Sequence, residues 1–208
     1  MSMPSNGSGR AALAETFLPE GIARAVGVIL LVLAGTLLIA IAAKIKVPFW
    51  PVPITLQTLA VMAIAAAYGS RLAVATVVAY LAEGLVGLPV FTNTPPLAAG
   101  PAYFLGPTGG FLIGFIVIAF VVGLAADRGW SRSIPKLAAA ILVADVIMMA
   151  MGFAWFAGFA HLSNGQVGPG MAFAWQWGVQ PFILGELLKI ALVALAVPAV
   201  WGLIGRKA

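Results

Sequence analysis

The sequence predicts an all-α integral membrane protein with six transmembrane helices and both termini in the cytoplasm. Three observations lead to this fold class. First, 62% of the 208 residues are hydrophobic and only 8% are charged, whereas soluble domains are about 45–50% apolar and about 25% charged. Second, six apolar runs are long enough, or nearly long enough, to cross a bilayer. Third, the basic residues are concentrated on one side of those runs.

The first apolar run, residues 25–43, contains no charge and exceeds the 7–15 residues of a signal-peptide core, so we expect it to be retained. The second run is short. At about 1.5 Å per residue it covers about 22 Å, so it is expected to begin inside the protein, below the outer surface. The six spans are predicted at residues 25–43, 54–68, 72–88, 109–126, 136–159 and 182–204.

The polar residues 1–23 are interpreted as a cytoplasmic N-terminal tail, and residues 24–208 as one six-helix transmembrane domain that binds a substrate. Three connections are rich in proline, glycine and aromatic residues. We name residues 89–108 and 161–179 the outer loops; the third connection, residues 44–53, contains three prolines that interrupt any helix. Long outer loops with short inner ones indicate a protein that captures something from outside.

The distribution of basic residues sets the orientation. If both termini are inside, eight of the eleven basic residues lie on the inner side, Lys44 and Lys46 lie outside, and Lys189 lies within a span. This bias is typical of cytoplasmic termini. We therefore expect a multi-pass protein of the cell inner (cytoplasmic) membrane, in contact with membrane lipid.

Several classes of chemistry are not expected. The chain has no cysteine and one histidine, which excludes disulfides and thiolate or multi-histidine metal sites. The glycine-rich segment 106–110 lacks the lysine of a phosphate-binding loop, so no nucleotide hydrolysis is expected. The basic residues form no dense run, so no nucleic-acid partner is predicted. No catalytic set, cofactor or metal is predicted either.

Four ionisable residues lie within the predicted spans: Glu83, Asp145, Glu186 and Lys189. Such groups are costly in hydrocarbon and commonly face a functional interior. Glu186 and Lys189 are three residues apart on one helical face and can pair. The pair either holds the last helix in the bundle or belongs to a polar ligand site. For Glu83 and Asp145 the sequence leaves a structural and a functional role open.

Four motifs occur in order along the chain: PVPITLQT at residues 51–58, GLPVF at 87–91, LGPTGGF at 105–111 and PFILGELLK at 181–189. Together they resemble those of BioY, the biotin-binding S component of the energy-coupling factor (ECF) transporters. The chain has Glu186 where the family usually has aspartate, and Leu184 where it usually has proline. The resemblance implies high-affinity capture and uptake of biotin across the cytoplasmic membrane, with biotin as the transported ligand and no cofactor.

The resemblance also implies partners, namely a transmembrane coupling protein and two ATPase subunits. Self-association as a solitary biotin facilitator is an alternative. A rival from another class is a membrane-embedded enzyme that uses Glu186 and Lys189 on a lipid-like substrate.

Biotin has a ureido ring with two N–H donors and one C=O acceptor, an apolar thioether ring and a valerate carboxylate. Glu186 offers acceptor oxygens and Lys189 a charged donor. The amide of Asn93 could bind either end of the ligand. Gln57 and Thr55 lie at the start of the second span, where backbone N–H donors are free. Tyr103 and Trp50 lie in the aromatic loops. The predicted ligand-binding residues are Glu186, Lys189, Asn93, Gln57, Thr55, Tyr103 and Trp50; their pairing with each end of biotin stays open.

Overall fold

The computed structural model describes residues 12–16, 22–48, 53–97 and 99–205. Within these ranges the chain is mostly helical. Its helices are α1 Ile22–Lys44, α2 Gln57–Tyr68, α3 Ser70–Leu85, α4 Pro101–Leu105, α5 Gly109–Asp127, α6 Ile134–Gly158, α7 Met171–Ala174 and α8 Ile183–Gly205. Two short strands, β1 Lys46–Val47 and β2 Ile54–Thr55, pair antiparallel. Leu13–Thr16 and Trp130–Arg132 form 3-10 turns, and Trp175–Val179 forms a π-helical turn that follows α7.

The helical fold agrees with the sequence prediction, and each predicted span coincides with a helix. Among the described residues, α1, α5, α6 and α8 are long and apolar enough to cross a membrane. The other two predicted spans correspond to α2 and α3, which have only 12 and 16 residues. α2 begins later than predicted because Ile54 and Thr55 form β2. That the chain crosses the membrane six times therefore stays a prediction.

Helix α5 lies at the centre of the bundle and packs against α2, α3 and α6. Its contact with α6 depends on glycine. A Cβ atom at Gly114 would lie 2.6 Å from Cγ of Met148, and one at Gly110 would overlap Trp155. Small residues let helix backbones approach closely, which is how membrane helices pack without a hydrophobic driving force.

Helix α1 lies at the edge of the bundle, against α2 and α3. Most of its surface is exposed although its side chains are apolar; Ile29, Leu30, Leu33 and Leu37 are each more than half exposed. An apolar surface of this extent is rare on water-soluble proteins and suits hydrocarbon or another apolar helix.

The junction between α2 and α3 is fastened to the end of α5. The Asp127 carboxylate accepts hydrogen bonds from the backbone N–H and the hydroxyl of Ser70, at 3.1 and 2.5 Å. A carboxylate at a helix N-terminus satisfies free N–H groups and complements the helix dipole. Gly69, the single residue between α2 and α3, has φ 76°, a backbone conformation that glycine adopts without steric cost.

Candidate ligand-binding site

A cavity of about 260 Å³ lies between α2, α5, α6 and α8, at the end of the bundle where α2 begins. Its walls are apolar and aromatic, with a few polar groups, which is the usual composition of small-molecule sites. The lining residues are Pro53, Thr55, Gln57, Thr58, Thr92, Asn93, Pro107, Thr108, Phe111, Phe115, Met148, Met149, Phe156, Trp177, Gly178, Phe182, Glu186 and Lys189.

A buried charged cluster forms one wall of this cavity. Lys189 Nζ lies 2.8 Å from Glu186 Oε1, and each residue is only 5% exposed. Thr58 joins them from α2: its hydroxyl donates to Glu186 Oε1 at 3.0 Å and accepts from Lys189 Nζ at 2.8 Å. An ammonium group has three N–H donors. Two of them are used by the described residues, so the third is available to an acceptor on a ligand.

Helix periodicity explains this local arrangement, since residues three apart on α8 share a face. The approach of α2 to α8 is a tertiary feature, and Thr58 was not among the predicted site residues. Its position directly after Gln57, inside the motif at residues 51–58, is the signal that could have indicated it.

A second network holds Gln57 at the cavity. Its Nε2 donates to the hydroxyl of Tyr80 at 2.8 Å, and its Oε1 accepts from the hydroxyl of Thr92 at 3.2 Å. The Tyr80 hydroxyl in turn donates to the carbonyl of Val90 at 3.1 Å. The chain therefore fixes the amide orientation of Gln57 before any ligand arrives, and one Nε2 hydrogen is left for other partners. Thr55, on β2, lies at the same end of the cavity and accepts from the Gln57 backbone N–H at 3.5 Å.

Two lysines fasten the first outer loop over the cavity. Lys46 Nζ donates to Oδ1 of Asn93 at 2.6 Å, and Asn93 has the left-handed φ of 61°, uncommon for a residue other than glycine. Lys44 Nζ donates to the carbonyl of Phe91 at 2.5 Å and also to the carbonyl of Thr94. Lys46 fixes the orientation of the Asn93 amide, and among the described residues nothing accepts from its Nδ2, which can therefore donate to a ligand.

An aromatic layer supports this loop from behind. The ring of Phe91 is fully buried, stacks on Tyr103 with centroids 4.9 Å apart, and meets Tyr80 edge to face at 5.4 Å. Gly84 makes room for it, because a Cβ there would overlap the Phe91 ring. The Tyr103 hydroxyl donates to the carbonyl of Thr92 at 2.5 Å. Burial raises the pKa of the Tyr103 hydroxyl above its usual value of 10.0, so the hydroxyl stays a donor.

The predicted site residues therefore divide into three groups. Glu186, Lys189, Asn93, Gln57 and Thr55 all line the one cavity. Tyr103 lies behind it, in the aromatic layer that supports Thr92. Trp50 lies outside the described residues. Besides Thr58, sequence reasoning missed the phenylalanines of the aromatic walls, which come from three separate segments: Phe111, Phe115, Phe156 and Phe182.

The described residues contain no group of three or more His, Cys, Asp or Glu side chains that could hold a metal ion. The polar groups of the cavity are instead amides, hydroxyls, one carboxylate and one ammonium. Such a set can bind an uncharged polar ring by hydrogen bonds, between aromatic walls that exclude water.

Comparison with known proteins places this geometry in a family. The sequence pattern of the BioY family matches residues 14–206. The chain is 31% identical to the biotin transporter BioY2 of Lactococcus lactis, covering 79% of this chain and 85% of that protein. It is 35% identical to the biotin transporter BioY of Thermotoga maritima, covering 80% of each. Its fold is similar to a crystal structure of the S-component for biotin from an ECF-type ABC transporter, with a TM-score of 0.68 and 25% identity over 88% of this chain and 95% of that one.

Proposed function

This chain belongs to the BioY family, and we propose that it captures biotin and takes it up across a membrane as the S component of an ECF transporter. One observation carries the assignment of the site: the buried cluster of Glu186, Lys189 and Thr58 lies in a cavity with aromatic walls. The relatives are named as transporters and as an S component, so the membrane-enzyme alternative is not carried further.

The site chemistry matches the groups of biotin. Lys189 has one N–H left for the ureido carbonyl, while Glu186 and the hydroxyls of Thr55 and Thr108 offer acceptors for ureido N–H donors. Phe111 and Trp177 supply apolar walls for the thioether ring. Asn93 is held by Lys46, and its Nδ2, which has no acceptor among the described residues, is proposed to donate to biotin. The structure thus offers both donors and acceptors without requiring a metal or cofactor.

Binding of biotin to the chain purified in detergent tests this proposal. We expect one biotin per chain, bound unmodified and recovered unchanged. Glu83 lies outside the cavity lining and is only partly buried, so Glu83→Gln is a suitable control and is expected to bind like the parent. Absence of stoichiometric binding, or chemical conversion of the added compound, would contradict the proposal.

We also propose six spans with both termini in the cytoplasm. The eight-to-two distribution of basic residues supports this orientation. The shorter helix α2 is compatible with this topology. It is about 18 Å long at 1.5 Å per residue, and the β1–β2 hairpin and the first outer loop lie beyond its start. A reporter active only outside the cytoplasmic membrane, fused after Ala208, is expected to give no signal. A strong signal would overturn the orientation.

The energy for uptake is proposed to come from other chains, namely a transmembrane coupling protein and two ATPase subunits. The chain has no phosphate-binding loop motif, and the similar crystal structure is that of a component of an ABC transporter. Biotin uptake in cells that express this chain should therefore require co-expression of the coupling module. Uptake without that module would favour the solitary facilitator.

A further inference from the structure

A second cavity, of about 420 Å³, lies between α6, α8 and the π-helical turn Trp175–Val179. Leu142, Val146, Ile183 and Leu187 line it and are each 42–58% exposed, so the cavity is a groove at the outer surface of the helices. Its lining is apolar apart from two carboxylates, Asp145 and Glu186, and one indole.

These two carboxylates are deeply buried and incompletely bonded. Asp145 and Glu186 are each 5% exposed. Asp145 Oδ1 and Glu186 Oε2 are completely shielded and have no hydrogen-bond partner among the described residues. Oxygens of ionised carboxylates in such surroundings are normally satisfied by donors, because an unpaired buried acceptor is costly. These two acceptor oxygens, one on α6 and one on α8, therefore lack a donor among the described residues.

The net charge of the cluster formed by Asp145, Glu186 and Lys189 is also unbalanced. The ionisable groups that act on Asp145 are Glu186 and Lys189, both on α8. Helix α2 adds only the Thr58 hydroxyl. Helix α5, which packs along α6, carries no charged residue before Asp127 at its C-terminal end, and the exposed lining of the groove adds no charge. With both carboxylates ionised, one ammonium leaves the cluster with a net charge of −1 inside an apolar bundle. Adjacent carboxylates that share a site avoid this state by holding one proton between them.

We propose that Asp145 and Glu186 form a proton-binding site, in which one proton bridges the two carboxyl groups and makes the cluster with Lys189 neutral. Protonated Asp145 donates to Glu186, whose other oxygen is already held by Thr58 and Lys189. Glu186 is the only one of the two carboxylates that also lines the ligand cavity, so it links the proton site to the ligand site.

This link has a consequence that rests on the proposed function. A bound anion such as biotin is disfavoured beside a cluster that carries −1, so biotin affinity should fall when the proton leaves. By linkage, biotin binding should then raise the proton affinity of the cluster and take up protons at pH values where it is partly deprotonated.

Infrared spectroscopy of the purified full chain tests the proton site directly. At neutral pH we expect the C=O stretch of a protonated carboxylic acid, moving to lower frequency in D₂O. Asp145→Asn and Glu186→Gln should each abolish the band, because one carboxylate then pairs with Lys189 and needs no proton. Glu83→Gln, which removes a carboxyl group outside the cluster, should retain it.

The parent protein alone can overturn the proposal, since absence of the band at neutral pH means that no buried carboxyl group is protonated. Persistence of the band in folded, monodisperse Asp145→Asn would place the proton elsewhere. The biotin affinity of the parent should decrease with rising pH and that of Asp145→Asn should not; equal profiles would overturn the coupling. A protein that shows the band but binds no biotin would retain the proton site and refute the proposed function.

Discussion

Replacing Lys189 by methionine removes the central charge of the ligand site while keeping most of the side-chain volume. The variant loses the 2.8 Å ion pair to Glu186 and the 2.8 Å hydrogen bond to Thr58. At that separation and an effective dielectric constant of about 20, the Coulomb energy of the pair is about 6 kcal/mol. Removing one partner of a buried pair typically costs about 3–5 kcal/mol, because the remaining charge is stranded.

The double variant Glu186→Gln with Lys189→Met separates stability from binding, because it removes both charges of the pair and leaves Asp145 as a carboxyl group that can stay protonated. We expect it to be more stable than Lys189→Met, since replacing a whole buried pair is often nearly neutral. Both variants should lose more than tenfold in biotin affinity, which corresponds to about 1.4 kcal/mol or more.

The assay combines thermal unfolding in detergent with equilibrium biotin binding, for the parent, both single variants and the double variant. Their comparison gives the coupling energy of the pair in each readout. Glu83→Gln controls for loss of a partly buried carboxyl group outside the cavity. A stable double variant that binds biotin like the parent would refute the assignment of the site to this cluster.

Three further predictions concern the outer loops and the residues that hold the first of them beside the cavity. Gly84→Ala should displace the Phe91 ring and weaken biotin binding, because the added Cβ would overlap that ring. Circular dichroism should show that the helices remain folded. Unchanged binding would show that the aromatic layer does not position the loop. Lys46→Met should free the amide of Asn93 to rotate. Because both residues are exposed, biotin binding should weaken by less than tenfold, which is less than about 1.4 kcal/mol. A larger loss would mean that Lys46 itself contacts the ligand. The outer loops should be cut more slowly by an external protease when biotin is bound, and equal rates with and without biotin would contradict their capping role.

Local features of this protein could be read from the sequence. The low charge content indicates a membrane protein without knowledge of any contact between residues. A chain with so few charged side chains cannot cover its surface with them in water. Helix positions follow the apolar runs, and the pairing of Glu186 with Lys189 follows from the helical repeat. Each of these depends on residues that are close together in the chain.

The remaining features depend on contacts between distant segments. Thr58 reaches Glu186 across 128 residues, and no spacing within one helix indicates that contact. The late start of α2 follows from the pairing of Ile54 and Thr55 with β1, while Tyr103 lies behind the cavity because its ring stacks on buried Phe91. Composition and periodicity constrain each helix by itself. The rotation and depth of one helix against another are set by packing between helices. That packing determines which polar atoms of different helices meet.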